Sequence, residues 1–189
     1  MFRQNHLSST AAVCAVLASA PGALAATHVV HFDTLPGGVL PNNFISELVD
    51  VTVGPYTDTI GNVCAPTAFG VAAIASQPFP GCTAGSPPNQ LIARSVLVDF
   101  DMTDFATQVG GPVKRLMVKY HRITGNVQFS VNGVCFTRPT FGALPNGVYG
   151  GVKYKDNGCR IRLRRKPAFI TQFSIGGALL AIDDVKANG

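Results

Sequence analysis

Tryptophan is missing from this chain and only four tyrosines are present, so an aromatic platform for stacking sugar rings is thin. Charged residues are also scarce, at 13% against 47% apolar, which excludes a disordered tail or linker because such a chain buries enough surface to offset its ordering cost. No stretch reaches the roughly 18 uninterrupted apolar residues that a membrane-spanning helix needs. The three-and-four spacing of an amphipathic helix is never sustained beyond two turns. A G-x-S-x-G elbow, a metal-binding histidine pair and C-x2-C spacing are all missing. These gaps argue against an enzyme and against a zinc site.

What remains is a chain of 189 residues, enough for about one domain. Its start has the anatomy of a secretory signal: Arg3, the apolar run Ala11 to Ala20, the break at Pro21-Gly22, and the small-x-small pattern Ala23-Leu24-Ala25. Residues 1–25 are set aside on that ground, and 26–189 are expected to form one β-sandwich domain. Period-two alternation recurs along it. The clearest strands are Val96 to Phe100, Arg115 to His121, Val127 to Val131 and Arg160 to Arg164, with Val98, Leu116, Val118, Tyr120, Ile161 and Leu163 inward. Weaker runs lie at His28 to Phe32, Leu48 to Val53, Phe69 to Ala75, Phe169 to Ile175 and Ala178 to Val185. Turn signals separate them at Pro36-Gly37-Gly38, Thr124-Gly125-Asn126, Asn132-Gly133, Asn146-Gly147 and Asp156-Asn157-Gly158. The Ser76 to Asn89 stretch, with Pro78, Pro80, Pro87 and Pro88, reads as one long loop because proline offers no ladder donor. The fold expected is an all-β, two-sheet antiparallel sandwich of jelly-roll-like form.

Four cysteines follow the signal: Cys64, Cys82, Cys135 and Cys159. An even number in an exported chain predicts disulfides. Of the three connectivities, pairing Cys64 with Cys82 and Cys135 with Cys159 is favoured, since each pair brackets a turn-rich segment.

Charge is unevenly distributed. From Thr27 to Val113 there are seven acidic residues and one basic residue, Arg94, whereas Lys114 to Lys166 holds twelve basic residues and a single acid, Asp156. Basic strands are expected beside acidic ones, where opposite cross-strand charges stabilise by a few tenths of a kcal/mol. The densest cluster runs from Arg160 to Lys166. Alternation places Arg160, Arg162 and Arg164 on one strand face, about 7 Å apart, as a row of planar forks suited to carboxylate, sulfate or phosphate. Lys114, Arg115, Lys119 and Arg122 extend the row if their strand is its neighbour. Arg160, Arg162, Arg164 and Lys119 are therefore the candidate ligand-binding set, for an acidic polysaccharide. A solvated face that discourages edge aggregation would show the same residues. Nucleic acid fits less well, because no aromatic residues interleave with the basic ones.

The two ends carry a second constellation. His31-Phe32-Asp33-Thr34-Leu35-Pro36-Gly37-Gly38 stands near the start, and Ile175-Gly176-Gly177 to Ala181-Ile182-Asp183-Asp184-Val185 near the end. Adjacent aspartates in a strand point to opposite faces, so Asp183 or Asp184 turns inward, and a bare inward carboxylate needs a cation or several donors. Calcium is the natural candidate outside the cell; pairing with an arginine or capping a bulge is the alternative. Asp99 and Asp101, two apart on a strand, could in principle work as paired carboxylates, but they read equally as a strand turning polar as it leaves the core.

The opening F-D-x-L-P-G-G and closing G-G-x-x-x-A-I-D-D-V resemble the ends of exported bacterial jelly-roll domains of the galactose-binding-like and carbohydrate-binding-module type; the closing strand is also similar to that of MAM domains. The resemblance implies two antiparallel sheets whose first and last strands meet, a structural calcium held by Asp33 with Asp183 or Asp184, and sugar or protein partners. The chain ends without a hydrophobic anchor, so a secreted or periplasmic location is expected. The function expected is a non-catalytic binding module for an extracellular, anionic glycan; the alternative is a structural or adhesive cell-surface protein that uses the same faces for subunit contacts.

Overall fold

The computed structural model describes residues 26–76 and 89–189. The expected signal, residues 1–25, and residues 77–88 of the proline-rich loop, with Cys82, lie outside the described residues. Among those described there are thirteen strands, one short α-helix and one 3-10 turn. The strands are β1 (Thr27–Val30), β2 (Gly38–Val39), β3 (Asn43–Ser46), β4 (Val49–Pro55), β5 (Val71–Ala75), β6 (Gln90–Arg94) and β7 (Val96–Phe100). Helix α1 (Met102–Gln108) follows, then β8 (Arg115–Val131), β9 (Val134–Arg138), β10 (Gly147–Tyr149), β11 (Val152–Asp156), β12 (Arg160–Arg165) and β13 (Phe173–Asn188). All pairings are antiparallel, so the all-β expectation holds.

Two long strands organise the sheet. β8 and β13 pair with one another almost end to end, from Phe173 opposite Val131 to Asn188 opposite Arg115. On its far side β13 meets β7, then β6, then β1 in succession. On its own far side β8 meets β12 through its first residues and β9 through its last. One half of the sheet therefore runs β10-β11-β12-β8-β13-β6-β5-β2, and the other runs β9-β8-β13-β7-β4-β3. Hydrogen bonding is continuous from one half to the other. Phe129 of the second half packs edge-on against Tyr154 of β11 at 5.1 Å, and against Phe173, which stacks on Phe100 at 5.9 Å. Residues of both halves thus contribute to one core.

The alternating segments pack as their patterns require: Leu116, Val118, Val152, Tyr154, Ile161 and Leu163 are all buried. Three expectations of detail change. Thr124-Gly125-Asn126 is not a hairpin turn: β8 passes straight through it, and Gly125 (φ +71°) sits opposite the register shifts around Ala178, where a Cβ would collide with that of Ala178. The Gly176-Gly177 segment likewise lies inside β13 and does not separate two strands. Asp101 opens α1: its side chain accepts from the Thr103 N–H at 2.6 Å and the Asp104 N–H at 3.3 Å, so the polar Asp-Met-Thr-Asp run is a helix cap. Asn132-Gly133 is the tight hairpin expected, both residues at positive φ between β8 and β9.

The cysteine pairing also differs. Cys64 is bonded to Cys135, 71 residues away, in place of Cys82. Cys135 therefore does not pair with Cys159, which is itself disulfide-bonded. The loop carrying Cys64 is already clipped to β9, because Gly61 bridges Thr137 and Arg138 donates to the Gly61 carbonyl at 2.7 Å. Closing so long a loop stabilises by about 4 kcal/mol in the chain-entropy treatment, and it serves the wide separation of these segments in sequence. Two disulfide-bonded sites fit an oxidising compartment.

Candidate functional site: a basic face on the β11-β12-β8 sheet

Antiparallel register lays the basic segment of the chain against itself. β12 pairs with β8 as well as with β11, so the second basic set does extend the arginine row. Lys153 stands opposite Arg164, which stands opposite Arg115; Lys155 stands opposite Arg162, which stands opposite Met117, and Met117 opposite Lys186 of β13. The same alternation that buries Val152, Tyr154, Ile161, Leu163 and Leu116 turns these cations outward. The expected pairing of basic with acidic strands does not occur here: like charges sit directly opposite, which costs a few tenths of a kcal/mol per pair. Nothing in sequence position prevents this, because the acidic segment is consumed by β3, β4, β7 and α1 in the other half.

Among the described residues there are two salt bridges, and both end on Asp184. Its Oδ1 meets His31 Nδ1 at 2.8 Å and its Oδ2 meets Lys119 Nζ at 2.5 Å. Arg160 stands opposite Lys119 and is partly buried, with an Nε that finds no partner. Of the expected ligand set, then, Arg162 and Arg164 stand in the open face, while Lys119 is engaged with Asp184 and Arg160 lies beside it at the margin. Lys153, Lys155, Arg115 and Lys186 complete the face and were not in that set. The pattern Val152-Lys153-Tyr154-Lys155 carries the same period-two signal and could have placed the two lysines there.

Two recesses lie in the face. One, of about 300 Å³, is lined by Lys153, Lys155, Arg162, Arg164, Arg165 and Lys166. The other, of about 210 Å³, is lined by Arg115, Met117, Arg162, Arg164, Lys186 and Asn188. No acidic residue borders either.

The chain ends meet as expected, with β1 paired to the close of β13, Val30 opposite Val185. Asp183 is the inward aspartate, 1% exposed; its Oδ1 accepts from the Asp184 N–H at 2.8 Å and its Oδ2 has no partner. Burial, with repulsion from Asp184 and Asp33, pushes its carboxyl up to about 7 against the pull of that N–H and of Lys119. Asp184, outward at a bulge with φ +44°, behaves oppositely: burial disfavours its charge, but the bonds from Lys119 and His31 prevail and hold it below the usual carboxylate value. Asp33 accepts from the Asn89 N–H at 3.1 Å and so anchors the return of the chain into β6. Among the described residues no group of three or more His, Cys, Asp or Glu is disposed to hold a metal ion. The cation that meets Asp184 is the Lys119 ammonium. Asp99 bonds to the Ser174 hydroxyl while Asp101 caps α1, so these two carboxylates serve separate structural contacts.

No helix among the described residues is long and apolar enough to cross a membrane. No family model, curated protein or solved structure matches the chain. The class defined by fold and site is an all-β, disulfide-bonded protein with a cationic sheet face.

Proposed function

We propose that the protein is an exported, non-catalytic binding module whose outer β11-β12-β8 face takes an anionic extracellular glycan. The observation that carries this reading is the cross-strand register: Lys153, Arg164 and Arg115 stand side by side, and Lys155 beside Arg162, with no acidic partner. All ten acidic residues of the chain lie among those described, and none is paired with these five cations. Such a face carries repulsion in the folded protein that a bound polyanion relieves, and arginine forks hold carboxylate or sulfate by two oxygens at once. Disulfides and the signal-like opening support export. The thinness of aromatic side chains on this face favours recognition by charge over recognition by ring stacking, and disfavours single-stranded nucleic acid, which binds on aromatic platforms.

The test is retention of the protein on immobilised acidic polysaccharide at about 0.5 M salt, where the Debye length falls to a few ångströms and nonspecific attraction is screened. Retention that is lost on Arg162→Ala with Arg164→Ala supports the reading. If neither acidic nor neutral polysaccharide is retained while size-exclusion shows concentration-dependent assembly, the protein is the structural or adhesive surface component instead. Exposed Ile45 and Leu48 beside the β3-β4 turn, 63% and 67% exposed, are the apolar contacts that alternative would use.

A further inference from the structure

We infer that the ligand of this face is a linear polymer with an acidic group on each repeating unit, lying across the strands and not along them, with anionic groups in both recesses at once. The inference rests on the glycan-binding reading above and adds an axis, a length and a charge spacing to it. The axis comes from the recesses. They lie on either side of β12 and share Arg162 and Arg164 as their common wall, so a line through both crosses the strands. Cations continue along that line from Lys153 and Lys155 on β11, through β12, to Arg115 on β8 and Lys186 on β13.

Along the strands the regular row of outward cations is short. Beyond Arg162 the next outward pair is Arg160 and Lys119, where Asp184 neutralises the lysine and Arg160 is partly buried. Beyond Arg164 the strand alternation ends at Arg165, whose guanidinium lies 4.6 Å over the Phe169 ring and which, with Lys166, closes the outer end of the first recess. The regular cross-strand array of cations is thus two outward positions deep, about 7 Å, and three strand intervals wide, about 14 Å. A single small anion would fill one recess and leave the other. A chain about three sugar rings across that width places charges near β11, β12 and β8 in step with cations that recur about every 4.8 Å. Half-buried Met117, between Arg162 and Lys186 in register, gives the polymer one apolar contact in an otherwise charged floor.

Titration calorimetry of the full chain with oligogalacturonates of one to six units tests this, because these carry one carboxylate per ring. Affinity is expected to rise at least about tenfold between one and three or four units and then level, as joined anions reach the second recess at high effective concentration. Lys153→Ala with Lys155→Ala, and separately Arg115→Ala with Lys186→Ala, should each bring the hexamer to within about threefold of the dimer, while Arg122→Ala, off this face, changes nothing. An affinity that grows only in proportion to charge, with no plateau, overturns the crossing geometry, as do paired variants that behave like Arg122→Ala. Those results leave glycan binding standing. If no acidic oligosaccharide of any length binds, and single-stranded DNA or vesicles of anionic lipid do, the underlying reading falls with it. The length series on the unaltered protein decides the matter even if a variant folds poorly.

Discussion

The acidic corner built from β3, β4, β7 and α1 and the basic face built from β11, β12 and β8 treat their charges in opposite ways. Nearly every carboxylate of the corner is consumed by the protein: Asp101 caps α1, Asp104 accepts from the Asp50 N–H at 2.9 Å, Asp99 holds Ser174, and Glu47 accepts from the Thr34 hydroxyl at 3.2 Å. Asp58 similarly accepts from Tyr56 and Asn126. On the basic face Lys153, Lys155, Arg162, Arg164 and Arg115 have no such acceptor among the described residues. Acids placed at caps and turns are structural, and their removal should cost stability. Cations ranked side by side on a sheet face repel one another, and their removal should cost binding without costing stability.

The comparison breaks or sharpens at four points. The largest effect is expected from Arg162→Glu with Arg164→Glu: affinity for acidic glycan drops by at least about 100-fold, since two charge-assisted contacts at about 1.5–3 kcal/mol each are lost. Thermal stability should hold or rise slightly as cross-strand repulsion turns to attraction. A fall of several degrees in Tm would mean the face is structural after all.

Asp184→Ala comes next, losing about 2 kcal/mol in urea denaturation because Lys119 and His31 are left without their anion in a partly buried site. Asp184 has a depressed pKa, so its contribution is present above the ordinary carboxylate range and disappears as pH falls through the folded value. The variant should therefore lose the acid limb of the stability profile below about pH 4. An unchanged limb would assign acid sensitivity to some other group.

Asp183 has the reverse sign. Its carboxyl is raised to about 7, so the folded state holds a proton that the unfolded chain releases. Stability should be greatest near pH 4, fall as pH rises toward 7, and stay lower above. Asp183→Asn is expected to remove that slope and to stabilise the protein at pH 8 by about 1–2 kcal/mol. A destabilised variant at pH 8 would show that the buried carboxylate is compensated there. The smallest effect is Asp101→Ala, costing about 1 kcal/mol through the lost cap and leaving glycan retention untouched.

Much of the face was legible in sequence. Period two fixes which residues of Arg160–Arg165 and of the first part of β8 point outward, and with them the places of Arg162 and Arg164. That β8 and β12 are neighbours is a long-range fact, and it is what turns a stripe into a plate. Lys153 and Lys155 lie outside the expected ligand set, although Tyr154 between them marks the same alternation. The readings that failed share a cause. Gly125 reads as a turn because glycine usually breaks strands, and Gly176-Gly177 as the gap between two runs, whereas both lie inside long strands beside register shifts. Proximity along the chain favours pairing Cys64 with Cys82, while the bond to Cys135 follows the packing of its loop on β9. The seven residues of α1 are too few to show a helical period, and only Asp101 with Asp104 signals the cap.

Since β8 and β13 each take part in both halves of the sheet, neither half is a module that could be lifted out or exchanged. A cut in any surface loop leaves the same two strands stitched together, whereas loss of Phe173–Asn188 removes in one stroke the neighbour of β1, β6, β7 and β8. A split reporter or grafted fusion made from this protein must carry both long strands on one fragment, and circular permutants should succeed only where the new termini spare them.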